Sequence, residues 1–204
     1  MIAVEIEQGE SEWLAIRAGR PTASSFDKII TTKGEPSTSA KKYLYQLAGE
    51  RLTGMPMEGY QGAAMLRGKE LEAEAREAYS FLTDNDVLEV GFCFRDERRL
   101  YGCSPDGLIS VDGGLEIKCP TLPVAVEYLD GGKLPTAYVQ QVQGNMFITG
   151  RTWWDFLSYF PGLPPLLVRV KRDKKFIQAL EAELESFCEK LDGLTTKLTA
   201  GVLR

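Results

Sequence analysis

Histidine is missing altogether from the 204 residues. That one absence excludes Ser-His-Asp and Cys-His nucleophile pairs, imidazole general bases and imidazole metal sites together. Cysteine is scarce too: Cys93, Cys103, Cys119 and Cys188 stand 10, 16 and 69 positions apart. There is no CxxC pair among them and no zinc or iron–sulfur spacing, so they are expected to be reduced, mostly buried thiols. No apolar run approaches the ~18 residues that cross a bilayer. The opening MIAVEIEQGESEW has neither the basic start nor the apolar stretch of a secretory signal. A cytoplasmic protein without a membrane partner is expected. Repeats and low-complexity segments are absent, and so is an excess of positive charge. The net charge of −5 weighs against a nucleic-acid partner unless basic residues gather locally. Arg17, Arg20, Lys28, Lys33, Lys41 and Lys42 do crowd the first 42 residues, whereas glutamate dominates residues 70–77. Chemistry here must run on carboxylates, lysine, serine, tyrosine or a metal held by oxygen.

What is present reads as one domain over residues 1–204, with 44% hydrophobic and 26% charged residues, enough to bury a core. The N-terminal third is expected to be helical. Ser11 caps a first helix, residues 22–30 form a second, 39–52 a third ended by Gly54 and Pro56, and about 63–82 a longer one. The period then changes. VLEVGFCF, YGCSPDGLISV and GLEIKCP predict an antiparallel meander, with Asp112-Gly113 as a two-residue hairpin turn. A short helix near 124–129 and another opened by Pro135 follow, then strands at TWWDFLSYF and PLLVRVKR. An amphipathic helix over about 173–200 closes the chain, with Phe176, Leu180, Leu184, Phe187 and Leu191 on one face. The expected fold class is α/β, a mixed sheet over about 86–170 flanked by helices.

The chemistry-bearing segment is Ser104-Pro105-Asp106-Gly107 followed by Leu115-Glu116-Ile117-Lys118-Cys119. Pro-Asp-Gly alone is a common turn, and Glu-x-Lys alone is an ordinary half-exposed strand. Together they put an acid at the head of one hairpin strand, with an acid and a lysine on one face of the next. Two carboxylates of this kind gather hard divalent cations through oxygen, and a lysine beside them counters charge that develops on a phosphate. The Ile117 carbonyl, between the two side chains, is a further candidate ligand.

Pro105-Asp106 with Glu116-x-Lys118 resembles the core of the PD-(D/E)xK nucleases, and the wider chain resembles the lambda exonuclease (YqaJ-like) family of phage alkaline exonucleases. Arg17-Ala18-Gly19 leading to Thr22-Ala23-Ser24 is similar to that family's RAG-x-x-TAS opening. Arg67-Gly68-Lys69 with Glu72 resembles its G-x-x-x-E helix, Cys103 to Gly107 its CSPDG, and Tyr138 with Gln141-Val142-Gln143 its Y-x-x-QVQ. The resemblance implies a restriction-endonuclease-like core and a magnesium-dependent exonuclease. Such an enzyme digests one strand of linear duplex DNA 5′ to 3′ to mononucleotides and leaves a 3′ single strand for recombination. It implies Asp106 and Glu116 as metal ligands, beside the candidate carbonyl of Ile117, with Lys118 positioning or activating the water. Glu72 would complete the acidic cluster, Gln141 would orient water or phosphate, and Arg17, Ser24 and Ser104 would hold a terminal 5′ phosphate. Met65 and Leu66 fall where the family carries an apolar wedge that parts the strands. Manganese would substitute for magnesium, and calcium would bind without turnover. A homotrimeric ring and a single-strand annealing protein are the partners it implies. Where the family has an arginine after the TAS helix this chain offers TTKGEP, leaving Lys33 as its stand-in. The alternatives are an endonuclease of the same superfamily, which would cut closed circles, and a catalytically silent module that binds DNA ends. An iron–sulfur nuclease would need a cysteine cluster that the spacing does not supply.

Overall fold

β-branched and aromatic runs broken by glycine build two sheets here instead of one. The computed structural model describes residues 1–57 and 63–202, without the side chains of residues 63–66, 68, 69 and 202. The first sheet joins β1 (Ile2–Val4), β3 (Phe92–Phe94) and β4 (Gly102–Cys103), all antiparallel. The second has the order β2 (Val87–Leu88), β5 (Gly107–Ile109), β6 (Gly113–Lys118), β7 (Trp153–Ser158) and β8 (Leu166–Lys171). Among the described residues its one parallel pair is β6 with β7, in register with Lys118 opposite Ser158. That pairing follows from the crossover between them, made of α4 (Leu122–Gly131), a 3-10 turn at Thr136–Tyr138 and α5 (Val139–Thr149). Among the described residues no helix is long and apolar enough to cross a membrane.

The expected meander is therefore split. Strands β2 and β3 are close in sequence yet enter different sheets, as do β4 and β5. Short strands with glycine between them can change sheets, and β1 is too short to carry a readable alternation of its own. The β5–β6 turn also falls earlier than Asp112-Gly113. Ser110 takes the left-handed conformation at φ 48°, and Gly113 already pairs with Ile109 in the ladder. The glycines at 113 and 114 answer a packing demand. A Cβ there would lie 2.0 Å from the Trp153 ring and 2.3 Å from the Trp154 ring.

The helices are close to expectation: α1 (Ser11–Arg17), α2 (Ala40–Thr53), α3 (Ala63–Thr83) and α6 (Lys174–Val202). Ser11 is the first helical residue instead of the cap; Glu10 holds the cap position without a side-chain bond. The second expected helix is a 3-10 helix at Ala23–Lys28. The main core lies among α2, α5, α6 and that 3-10 helix, with Phe26, Leu47, Phe147, Trp154, Leu180 and Leu184 buried. A smaller core joins α3 to the sheet through Ala75, Tyr79, Leu115, Ile117 and Leu157. Alternation along β6 thus gives Leu115 and Ile117 to α3, and Glu116 and Lys118 to the face that meets α5. The fully buried Asp155 accepts from Tyr79 Oη and twice from Arg169, each at 2.8 Å, and so fixes α3 on the sheet. Cys93, Cys103 and Cys188 are buried and all four thiols are free.

Two glycine substitutions test this packing with opposite signs. Gly114→Ala should lower stability by about 1–3 kcal/mol, the usual effect of overfilling a packed core. Gly193→Ala on α6, where an added methyl meets nothing within 4 Å, should raise it by about 0.5–1 kcal/mol. Urea unfolding midpoints report both, and equal shifts would refute the contact between the tryptophans and β6.

Candidate active site

The C-terminal edge of β6 brings the sequence-selected acids and lysine together. Glu116 is 1% exposed, and a carboxylate so placed needs donors for both oxygens. Gln141 Nε2 donates to its Oε1 at 2.6 Å and Asn145 Nδ2 to its Oε2 at 2.9 Å. Lys118 Nζ makes an ion pair with the same Oε1. Asp106, at the head of β5, accepts from the backbone N–H of Ile117 at 2.6 Å, which ties the two strands at the site. Glu72 reaches the cluster from α3. Arg76 holds it at 2.8 Å and donates through Nε to the Asp106 carbonyl at 3.2 Å. The neighbouring Glu70, Glu74 and Glu77 are exposed, so the fold itself separates Glu72 from the rest of the acidic helix face.

Burial sets the charges. It raises Glu116 to about 7, with Lys118 opposing and Asp106 adding to the rise. Asp106 is raised by burial against the pull of Lys118 and the Ile117 N–H, and Glu72 by burial and by the charge of Asp106. Burial alone would lower Lys118, but the charges of Glu116 and Asp106 outweigh it and keep the group an ammonium ion. Among the described residues no three acidic, cysteine or histidine side chains gather into one cation cage. The donor set still suits a hard cation. Asp106 adds to the charge cost of the buried Glu116, and a divalent ion between the two oxygen donors would relieve it. Sulfur and imidazole donors, which would favour zinc, play no part.

A second constellation adjoins the first. Arg17 donates to Ser104 Oγ at 3.0 Å, to Ser24 Oγ at 3.2 Å and to Thr22 Oγ1 at 3.4 Å. Its guanidinium lies 4.2 Å from the centre of the Trp13 ring, whose Nε1 also donates to Ser104. Gly19 makes this possible. With φ at +68° it reverses the chain after α1, and a Cβ there would strike Arg51 at 2.3 Å. Burial lowers the Arg17 pKa, so an oxyanion beside it would restore favourable interactions lost with water. An open groove of about 790 Å³ runs past Trp13, Glu72, Arg76, Pro105 and Asp106.

Arg17, Ser24 and Ser104 thus converge, as do Asp106, Glu116, Lys118, Gln141 and, through Arg76, Glu72. Lys33 does not join them. It is exposed in the turn closed by the Thr31 N–H to Glu35 carbonyl bond, beside α6, where a Cβ on Gly34 would touch Ala179. The side chains of Met65 and Leu66 lie outside the described residues. Four contributors escaped the sequence reading: Trp13, Thr22, Arg76 and Asn145. Three of them stand one helical turn from a chosen residue, Trp13 before Arg17, Arg76 after Glu72 and Asn145 after Gln141. The i,i+4 rule was the available signal.

Comparison with known proteins bears on this site. The family model of the YqaJ-like viral recombinase domain matches residues 12–152. The crystal structure of an alkaline exonuclease, LHK-Exo from Laribacter hongkongensis, is 35% identical with a TM-score of 0.87, covering 95% of this chain and 98% of its own. The structure of LHK-Exo in complex with dAMP gives 36% and 0.86, over 96% and 100%. A phage related exonuclease from Haemophilus somnus 129PT is similar in fold alone, at 18% identity and a TM-score of 0.64 over 88% and 96%. No curated protein sequence gives a significant match.

The Arg17 constellation should take an oxyanion. Inorganic phosphate at ten times its dissociation constant should stabilise the protein by about 1.4 kcal/mol, read as a rise in thermal midpoint. Arg17→Ala should lose that rise. An equal rise in both proteins would place the anion elsewhere.

Proposed function

The chain belongs to the YqaJ-like viral recombinase domain family, whose alkaline-exonuclease relatives give it a nuclease role, and from that premise we propose a magnesium-dependent exonuclease. It digests one strand of linear duplex DNA from the 5′ end, releases mononucleotides and leaves a 3′ single strand for recombination by annealing. The observation that carries this reading is the adjacency of two sites of opposite charge. The acidic cluster of Asp106 and Glu116 begins two residues beyond Ser104, to which Arg17 donates at 3.0 Å. The dAMP in the LHK-Exo complex supports a mononucleotide as product.

Asp106, Glu116 and the Ile117 carbonyl would hold the magnesium, with Glu72 completing the acidic set. When bound, the ion neutralises charge on the phosphate and lowers the pKa of the attacking water; manganese would serve as well, and calcium would bind without turnover. Lys118, kept protonated by its acidic neighbours, stands where negative charge grows in the transition state. Gln141 and Asn145 fix the Glu116 carboxylate, and Gln141 also faces the water or phosphate. Arg17, Ser24 and Ser104 grip the terminal 5′ phosphate, which carries more charge than an internal diester. Ser24 acts through its hydroxyl alone, because its 3-10 helix is too short to offer much dipole. Each cut exposes a new 5′ phosphate to the same pocket. A homotrimeric ring would let a chain with net charge −5 place its basic side chains around a central channel, and a single-strand annealing protein would receive the exposed strand.

Digestion of 5′-phosphorylated and 5′-hydroxyl linear duplexes tests this. The wild type should prefer the phosphorylated end, and Arg17→Ala should slow that substrate tenfold or more while slowing the hydroxyl end much less. Equal slowing of both, or no preference in the wild type, would remove the pocket from the mechanism.

A further inference from the structure

We propose that Arg67 binds an internal backbone phosphate of the DNA, on the side of the acidic cluster away from the Arg17 pocket. The inference rests on the exonuclease reading and extends it to a substrate contact at Arg67, a residue of the Arg67-Gly68-Lys69 segment to which the resemblance gives no role of its own. Arg67 stands on α3, five residues before Glu72. Its Nη1 donates to the Pro120 carbonyl at 3.1 Å, and its guanidinium carbon lies 4.6 Å from the centre of the Phe160 ring. Pro120 follows the end of β6 by two residues, and Phe160 follows the end of β7 by two. Because β6 and β7 are parallel and in register, both leave the sheet at one edge, and Arg67 spans the departing chains.

The sheet order gives this position its meaning. Across that edge come the head of β5 with Ser104 and Asp106, then the end of β6 with Glu116 and Lys118, then the end of β7 with Phe160. The Arg17 pocket sits at the β5 end of this row and Arg67 at the β7 end, with the acidic cluster between. Neighbouring strands are ~4.8 Å apart, so the two arginines flank the cluster. A DNA strand gripped by its 5′ phosphate at Arg17 and drawn over the cluster meets Arg67 next.

Neither contact that orders Arg67 neutralises it. Among the described residues a carbonyl takes one N–H and an aromatic ring covers one face, which leaves further donors of the planar fork for a phosphodiester. Stacking also holds the guanidinium in place before DNA arrives, reducing the entropy lost on binding. Around a cluster of acids in a chain of net charge −5, a fixed cation of this kind counters repulsion of the incoming backbone.

The test measures binding of a fluorescein-labelled duplex by anisotropy, in full-length protein silenced by Asp106→Asn, at salt concentrations from about 50 to 200 mM. Adding Arg67→Gln, which keeps a donor for Pro120 and removes the charge, should weaken binding alike for duplexes of different sequence. It should also reduce the slope of log affinity against log salt by about one. Arg67→Lys should retain that slope. An unchanged slope in Arg67→Gln would overturn the proposal and leave Arg67 a tie between α3 and the strand ends. If the protein with Arg67 intact bound no duplex, the exonuclease reading would fall and the proposal with it.

Discussion

A carboxylate buried at the edge of a sheet is the constraint on which the rest depends. Glu116 is withdrawn from water, and an ionised group in that position persists only if every oxygen is met. The chain meets it from two elements: Lys118 on the same strand, and Gln141 with Asn145 on the facing helix. Those bonds require α5 to run alongside β6 at a fixed rotation, its first turns beside the C-terminal end of the strand. The crossover between β6 and β7 supplies that placement, and the tryptophans over Gly113 and Gly114 hold it.

The same demand explains the order of the motifs in sequence. Asp106 is held by the Ile117 N–H, so the SPDG turn is locked to the C-terminal end of the strand bearing Glu116 and Lys118. Ser104 is then carried to within reach of Arg17 and Trp13. On the other side Arg76 draws α3 to the Asp106 carbonyl and brings Glu72 with it. Charges of one sign are thereby packed together in a chain that must approach a polyanion. The proposed roles of Arg17 and Arg67, one at each end of the cluster, would answer that problem locally, without a basic protein overall.

Much of this was legible in the sequence, for physical reasons. The same-face placement of Glu116 and Lys118 follows from the two-residue period of a strand, and the long helices from unbroken 3.6-residue patterning. Glu72 was not legible from residues alone, since Glu70, Glu74 and Glu77 share its composition; burial against Arg76 distinguishes it. The sheet boundaries also escaped, because β2, β4 and the strand at the N-terminus are two or three residues long and carry no period. Asp112-Gly113 misled for a related reason. Glycine there serves a tryptophan on β7, and only tertiary contact reveals which demand a glycine meets. Asn145 was hidden among buried residues of α5, where an amide facing a carboxylate looks the same in sequence as one facing a backbone.

The central claim is that the acids at the β6 edge hydrolyse DNA from an end with a divalent cation. Release of acid-soluble nucleotide from linear and covalently closed duplex DNA, each with and without magnesium, tests it most directly. The account predicts steady release of mononucleotides from the linear duplex in magnesium, none after chelation, and none from the closed circle under any condition. Cleavage of the closed circle, or release from linear DNA without a divalent metal, would contradict it.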